Sequence, residues 1–166
     1  MTKGLKTAVV ILTAFLIVFH WGGTLRGGDQ FGAEDWTVIT CDGNLLMDYE
    51  EQLVYFFNNV LVQNPRGTIR SDRLIVFFSP DGQSVEKTEG EGNVRFEAEG
   101  RTGRAERMIY YPAEKKTVLI GEASVSFGGD TVRGGVITFY LDKQEMEVED
   151  APSLEYHPEG DFQIGL

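Results

Sequence analysis

Bond-making chemistry needs a nucleophile held by a base, two carboxylates sharing a cleft, or a cluster of metal ligands. This sequence offers none of these arrangements. Of its two histidines, His20 lies in an apolar run near the start, where an interfacial residue is a simpler reading than a ligand. His157, beside Pro158 and without a repeated partner, reads as solvated tail. The acids are plentiful but fall in turns and outward strand positions, as at Glu145, Glu147, Glu149 and Asp150, the pattern of a solvated face. No metal-ligand spacing and no phosphate-cradling glycine loop emerges. The single cysteine, Cys41, has no internal disulfide partner. It reads as a small buried side chain, because Val38-Ile39-Thr40 before it lacks the small residues of a lipid-modification signal. The expectation is therefore no enzyme, no metal and no cofactor. The charges with a pattern are Arg70, Arg104 and Arg133, which hold the same place in a recurring segment. Cross-strand pairing with Asp72, Glu106 and similar acids is the plainer expectation for them, and contact with anionic head groups is the alternative.

That segment organises the chain. Ile69 to Phe77 (IRSDRLIVF) returns as Gly103 to Tyr111 (GRAERMIYY) and as Val132 to Tyr140 (VRGGVITFY), at a spacing of about 30 residues. Each copy runs arginine, small residue, acid or glycine, then a β-branched and aromatic stretch, a composition suited to a pleated, half-buried surface. A second element keeps the same order: Asn59 to Val62, Asn93 to Phe96, Ser124 to Phe127 and Ser153 to Tyr156. In each, two apolar residues straddle a variable one and so share a face. A repeat of this length without helical periodicity predicts stacked β-units burying a common apolar surface.

Turn residues divide the rest into short strands: Trp36–Cys41, Asn44–Asp48, Gln52–Asn58, Val60–Gln63, Val85–Glu91, Asn93–Ala98, Arg107–Tyr111, Thr117–Gly121, Ala123–Phe127, Thr131–Arg133, Val136–Leu141 and Gln144–Glu149. Ser79-Pro80-Asp81-Gly82 is the clearest turn. So many antiparallel strands in a small domain must curl into two facing sheets. Both faces of the master strands are apolar. Leu74, Val76, Met108, Tyr110, Ile137 and Phe139 are expected inside, and Ile75, Phe77, Ile109, Tyr111 and Tyr140 outside, with a bulge at Ser71, Ala105 or Gly134 switching faces. If the sheets stay open at one edge, the inner surface is a lipid-binding groove. Its lining is then Val60, Val62, Leu74, Val76, Val94, Phe96, Met108, Tyr110, Leu119, Val125, Phe127, Ile137 and Phe139.

A chain of 166 residues holds one domain with a substantial core, and its net charge of −11 argues against nucleic acid as a partner. Lys3 and Lys6 precede an uncharged run from Thr7 to Leu25, which as a helix spans roughly 28 Å, enough to cross a bilayer once. With Asp29, Glu34 and Asp35 following, it predicts an uncleaved anchor with a cytoplasmic N-terminus. A cleaved secretory signal is the competing reading. The domain organisation is then an anchor over 1–25, a linker over 26–35, a β-domain over 36–157 and a tail over 158–166.

Taken in order, ITCDG, NNVLVQ, IRSDRLIVFF, GEGNVRF, GRAERMIYY, VLIGEASVSF and VRGGVITFYL resemble the repeated motifs of the OstA-like family, which includes LptA and LptC of lipopolysaccharide transport. The resemblance covers Trp36 to about Asp150. It implies an all-β, twisted, open antiparallel β-jellyroll that shields the acyl chains of lipopolysaccharide. It also implies end-to-end joining to other jellyroll proteins by strand-edge pairing, in a periplasmic bridge fed by an inner-membrane ABC transporter complex. The body is closer to LptA. The anchor and short tail are closer to LptC, so an LptC-like, inner-membrane-anchored component is expected, with a soluble periplasmic LptA-like subunit, or a β-module that pairs without carrying lipid, as the alternatives.

Overall fold

A computed structural model describes residues 8–12 and 37–157. The strands are β1 (Ala8–Leu12), β2 (Thr37–Cys41), β3 (Leu45–Asp48), β4 (Leu53–Asn64), β5 (Gly67–Phe78), β6 (Val85–Ala98), β7 (Arg101–Tyr111), β8 (Lys116–Phe127), β9 (Asp130–Tyr140), β10 (Glu145–Glu149) and β11 (Ser153–Glu155). They form one antiparallel sheet ordered β1-β2-β4-β5-β6-β7-β8-β9-β10, with β3 on β4 and β11 on β9.

Each pair from β4/β5 to β8/β9 breaks register halfway along. The cause repeats: two consecutive residues adopt positive φ at Asn58-Asn59, Gly92-Asn93 and Gly121-Glu122, and again at Asp150-Ala151 between β10 and β11. An inserted residue of this kind bends a strand sharply, so the sheet folds along a line of corners into two facing layers. The first layer holds β2, residues 60–64, 67–71, 94–98, 101–105, 123–127 and 130–134, and β11. The second holds β3, residues 53–57, 73–78, 85–91, 107–111, 116–120 and 136–140, and β10. Side chains hold the corners. Asn59 Nδ2 donates to Asp42 Oδ2 at 2.9 Å, and Asn93 Nδ2 donates to Asp72 Oδ2 at 2.8 Å. A side chain at Gly92 would collide with the Asp72 carboxylate and one at Gly121 with that of Glu106, which fixes glycine at both.

The corners also explain the small residue of the master segment. Ser71 and Ala105 are buried where the layers converge, and a Cβ on Gly134 would lie 2.6 Å from Val148 Cγ1. Ser71 and Leu74 both face inward although three residues apart, so the faces do switch there. Leu74, Val76, Met108, Tyr110, Ile137 and Phe139 join the inner apolar clusters; Ile75 and Ile109 belong to neither. Ile75 and Ile109 are nonetheless buried on the outer face, flanking the buried Glu89 in register. Arg107 and Lys87 are drawn to the Glu89 carboxylate.

Three expectations change. The strands read as separate on either side of the corners, such as Gln52–Asn58 and Val60–Gln63, are halves of single bent strands. The second element is displaced in its third copy: Ala123, not Val125, follows the corner as Val60 and Val94 do, an offset of two that preserves the face. Of the helix expected over 1–25 only residues 8–12 are described, and these are not helical. Ala8–Leu12 instead pair as a strand with Thr37–Cys41, and no described helix is long and apolar enough to cross a membrane. The remainder of the anchor, the linker over 26–35, Trp36 and the tail from Pro158 lie outside the described residues.

Candidate lipid-binding trough

Between the layers runs a trough lined by three rows of cross-strand partners. In the first layer the row is Ile39, Val62, Ile69, Phe96, Gly103, Val125, Val132 and Leu154. In the second layer one row is Phe56, Leu74, Gly90, Met108, Leu119, Ile137 and Val148, and the other is Val54, Val76, Thr88, Tyr110, Thr117, Phe139 and Met146. Strand alternation alone puts each row on one face. Ten of the thirteen residues expected from the sequence stand in these rows, and Val60, Val94 and Phe127 pack in the same apolar clusters beside them. Val60, Val62, Leu74, Val76 and Tyr110 pack in one cluster, and Val94, Met108, Leu119, Val125 and Ile137 in the other, with Phe96, Phe127 and Phe139 against the second. The sequence reading missed Ile39, Phe56, Ile69 and Val132 in the same clusters. The alternation of TVITC and the position of Ile69 two residues before Ser71 were the available signals.

Burial is uneven along the trough. Val60, Val94 and Ala123, next to the bends, are almost inaccessible, whereas Phe96, Phe127 and Phe139 are half-buried. The ring of Phe96 lies across Gly103, directly opposite it, so that any side chain at 103 would displace it. Among the described residues the trough holds two small voids. One of about 30 Å³ lies between Val62, Ile69 and Phe96 on one side and Met108, Thr117 and Phe139 on the other, with Arg66, Glu99 and Arg101 at its mouth. The second, about 20 Å³, is deeper, between Ile39 and Tyr110, and shares Val62, Ile69 and Met108 with the first. An apolar cavity that accepts a benzene ring measures about 150 Å³. Neither void as it stands has room for an acyl chain. Thr117 Oγ1 is buried in this lining without a hydrogen-bond partner among the described residues.

Outside the trough the two layers carry opposite charge patterns. On the second layer Arg73 Nε donates to Glu91 Oε2 at 2.9 Å, and Arg107 lies against both Glu89 and Glu91. On the first layer the arginines are not paired as expected. Asp72 accepts from Asn93, and no acid among the described residues lies within ion-pair distance of Arg70 or Arg104. Arg133 does pair, through Nη1 to Glu155 Oε2 at 2.9 Å, which holds the Glu155 carboxyl below its ordinary range. His157 is exposed, and its backbone N–H donates to Asp130 Oδ1 at 2.9 Å. Cys41 is buried, 2% exposed. Among the described residues no three His, Cys, Asp or Glu side chains gather as metal ligands.

Comparison with solved structures finds the same fold in LptH from Pseudomonas aeruginosa, the LptA-homologous periplasmic component of the lipopolysaccharide transport device. The match has a TM-score of 0.66 at 14% identity and covers 74% of this chain and 95% of that one. No curated protein sequence matches. The family model described as LptA/(LptD N-terminal domain) LPS transport protein matches residues 39–145, the span of the bent strands and their corners, and the chain belongs to that family.

Proposed function

We propose that the chain is a non-enzymatic, lipopolysaccharide-binding component of the periplasmic bridge that moves this lipid from inner to outer membrane, shielding its acyl chains between the two layers. The observation that carries the reading is the apolar lining, which continues from one end of the stack to the other. Exposed apolar side chains mark both ends: Leu46 and Met47 on β3, Met146 on β10 and Leu154 on β11. Such edges suit main-chain pairing with another jellyroll, which would extend the trough. Removing one acyl methylene from water gains about 0.8 kcal/mol, so ten contribute on the order of 8 kcal/mol. That is comparable to the stability of a whole domain, and enough to part layers that meet through side-chain contact.

The LptC-like form of the proposal anchors residues 1–25 in the inner membrane beside the ABC transporter complex, on the strength of the uncharged run behind Lys3 and Lys6. Residues 8–12 cannot occupy the bilayer and the edge of β2 together. Anchoring would free that edge for a partner strand. A soluble LptA-like subunit is the alternative, and sequencing the N-terminus of protein extracted from membranes decides between them: a start at Met1 supports the anchor, and a start after residue 20 or so removes it.

The narrowness of the trough favours a second reading, a structural β-module that pairs with other β-domains and carries no lipid. A photoreactive residue at Phe96 or Tyr110 separates the two. Lipopolysaccharide adducts from these inward positions, absent from the outward Glu86 and Glu106, support the conduit. Adducts from the outward pair alone reject it.

A further inference from the structure

The first layer carries a row of arginines on its outer face that the trough does not use. Arg70 on β5, Arg95 on β6 and Arg104 on β7 are direct cross-strand partners, followed in the same row by Ser124 on β8 and Arg133 on β9. Direct partners on antiparallel strands lie about 4.5–5.5 Å apart at Cα, and like charges so placed repel. All three leading arginines are exposed, and none has an acidic partner among the described residues. The contrast is internal to the protein: Arg73 and Arg107, on the same strands beyond the corner, are matched by Glu91 and Glu89. A chain with 26 acids and 15 bases has left this row uncompensated.

The row borders an open concavity of about 540 Å³, an order of magnitude larger than either void in the trough. Its other outward side chains are Thr68, Thr102, Ser124 and Ser126, with Glu97 as the one acid. Three guanidinium forks and four hydroxyls form a surface dominated by donors. That chemistry fits an oxyanion better than a peptide, whose N–H groups would need acceptors. Because the three arginines are direct cross-strand partners, one tetrahedral anion can be shared between neighbouring forks.

We propose that this concavity is a second binding site, for ligands bearing two or more phosphate groups, with Arg95 as the shared central ligand and Arg70 and Arg104 on either side. The site is separate from the trough, and its test does not involve acyl chains. The full chain is titrated with sodium tripolyphosphate, and in parallel sedimented with phosphatidylcholine vesicles with and without phosphatidylglycerol. Saturable tripolyphosphate binding is expected, weakened about tenfold or more by Arg95→Gln and abolished in the Arg70→Gln/Arg95→Gln/Arg104→Gln variant. The variants stay folded, with an unfolding midpoint equal to or above wild type, because removing the row removes repulsion.

Row-dependent binding to both probes would support the site and admit membrane phosphates as a source, whereas row-dependent binding to phosphatidylglycerol vesicles alone would overturn it, because each of those head groups carries one phosphate. Binding that survives the triple substitution, or that is lost instead on changing Arg66 and Arg101 at the trough mouth, overturns the proposal. So does the absence of binding to both probes.

Discussion

Replacing Met108 by alanine tests whether the trough is an acyl site. Met108 is 6% exposed and lines both voids, of about 30 and 20 Å³. Deleting Cγ, Sδ and Cε joins those voids and adds roughly 70 Å³, which at about 24 cal/mol per Å³ leaves a cavity term of ~1.7 kcal/mol within a total loss of about 2–5 kcal/mol. An acyl chain that fills the new space recovers the cavity term. Stability and affinity should therefore move in opposite directions: a lower urea midpoint, but dodecanoate bound about 15-fold more tightly, since 1.4 kcal/mol is a factor of ten. Isothermal titration against dodecanoate gives the affinity, and the ligand-induced rise in Tm should be larger for the variant than for wild type. An affinity that falls along with stability, or does not change, would refute the reasoning, because the space created would then not be where the chain binds.

Gly92→Ala puts a side chain at φ 74° against the Asp72 carboxylate and should lower stability by about 1–3 kcal/mol in urea unfolding, whereas Glu99→Ala, at φ 51° in the exposed turn before β7, should change it little. Gly103→Ala forces the Phe96 ring off the strand and into the larger void, so it should weaken dodecanoate binding more than it lowers Tm; the reverse order counts against that void as the entrance. Glu155 is held below its ordinary pKa by Arg133, so the β9–β11 contact is at full strength above the ordinary glutamate range and is lost as pH falls through the lowered folded value. Amide resonances of Thr131 to Arg133 should shift through that acid window in wild type and not in Arg133→Gln.

Much of the trough was legible because a strand's period is two and the repeats kept their parity even where the frame slipped, as between Val125 and Ala123. The corners were visible as Asn58-Asn59 and Gly92-Asn93 but read as strand ends. A pair of left-handed residues interrupts alternation just as a loop does, and only the register across β4/β5 and β6/β7 shows the chain continuing. The arginine row was half legible. Arg70, Arg104 and Arg133 come from the repeated master segment, but Arg95 comes from the second element, where it looked like an arbitrary outward residue in NVRF. That Arg95 stands between Arg70 and Arg104 follows from strand pairing, which short-range pattern does not encode. Nor could the width of the trough be read. It depends on the angle at the corners and on Phe96 folding over Gly103.

The corners also determine how such a narrow trough can open. Parting the layers uniformly would break the packing of Val60, Val94 and Ala123 beside the bends, all fully buried, together with the Asn59–Asp42 and Asn93–Asp72 bonds. Rotating the layers about the corner line leaves those contacts in place. It displaces most what lies farthest from the line: the half-buried Phe96, Phe127 and Phe139, the turn ends near Asn64, Gly67, Ala98 and Arg101 that border the larger void, and with them the buried Val76, Tyr110 and Thr117 in the row of Phe139. Ser71, Ala105 and Gly134 stand on that line, where the layers come close enough that only short side chains fit. The same repeat that puts an arginine on the outside therefore puts a small residue at the corner on the inside, so the spacing of the layers is set by residues that stand outside the three rows of the trough.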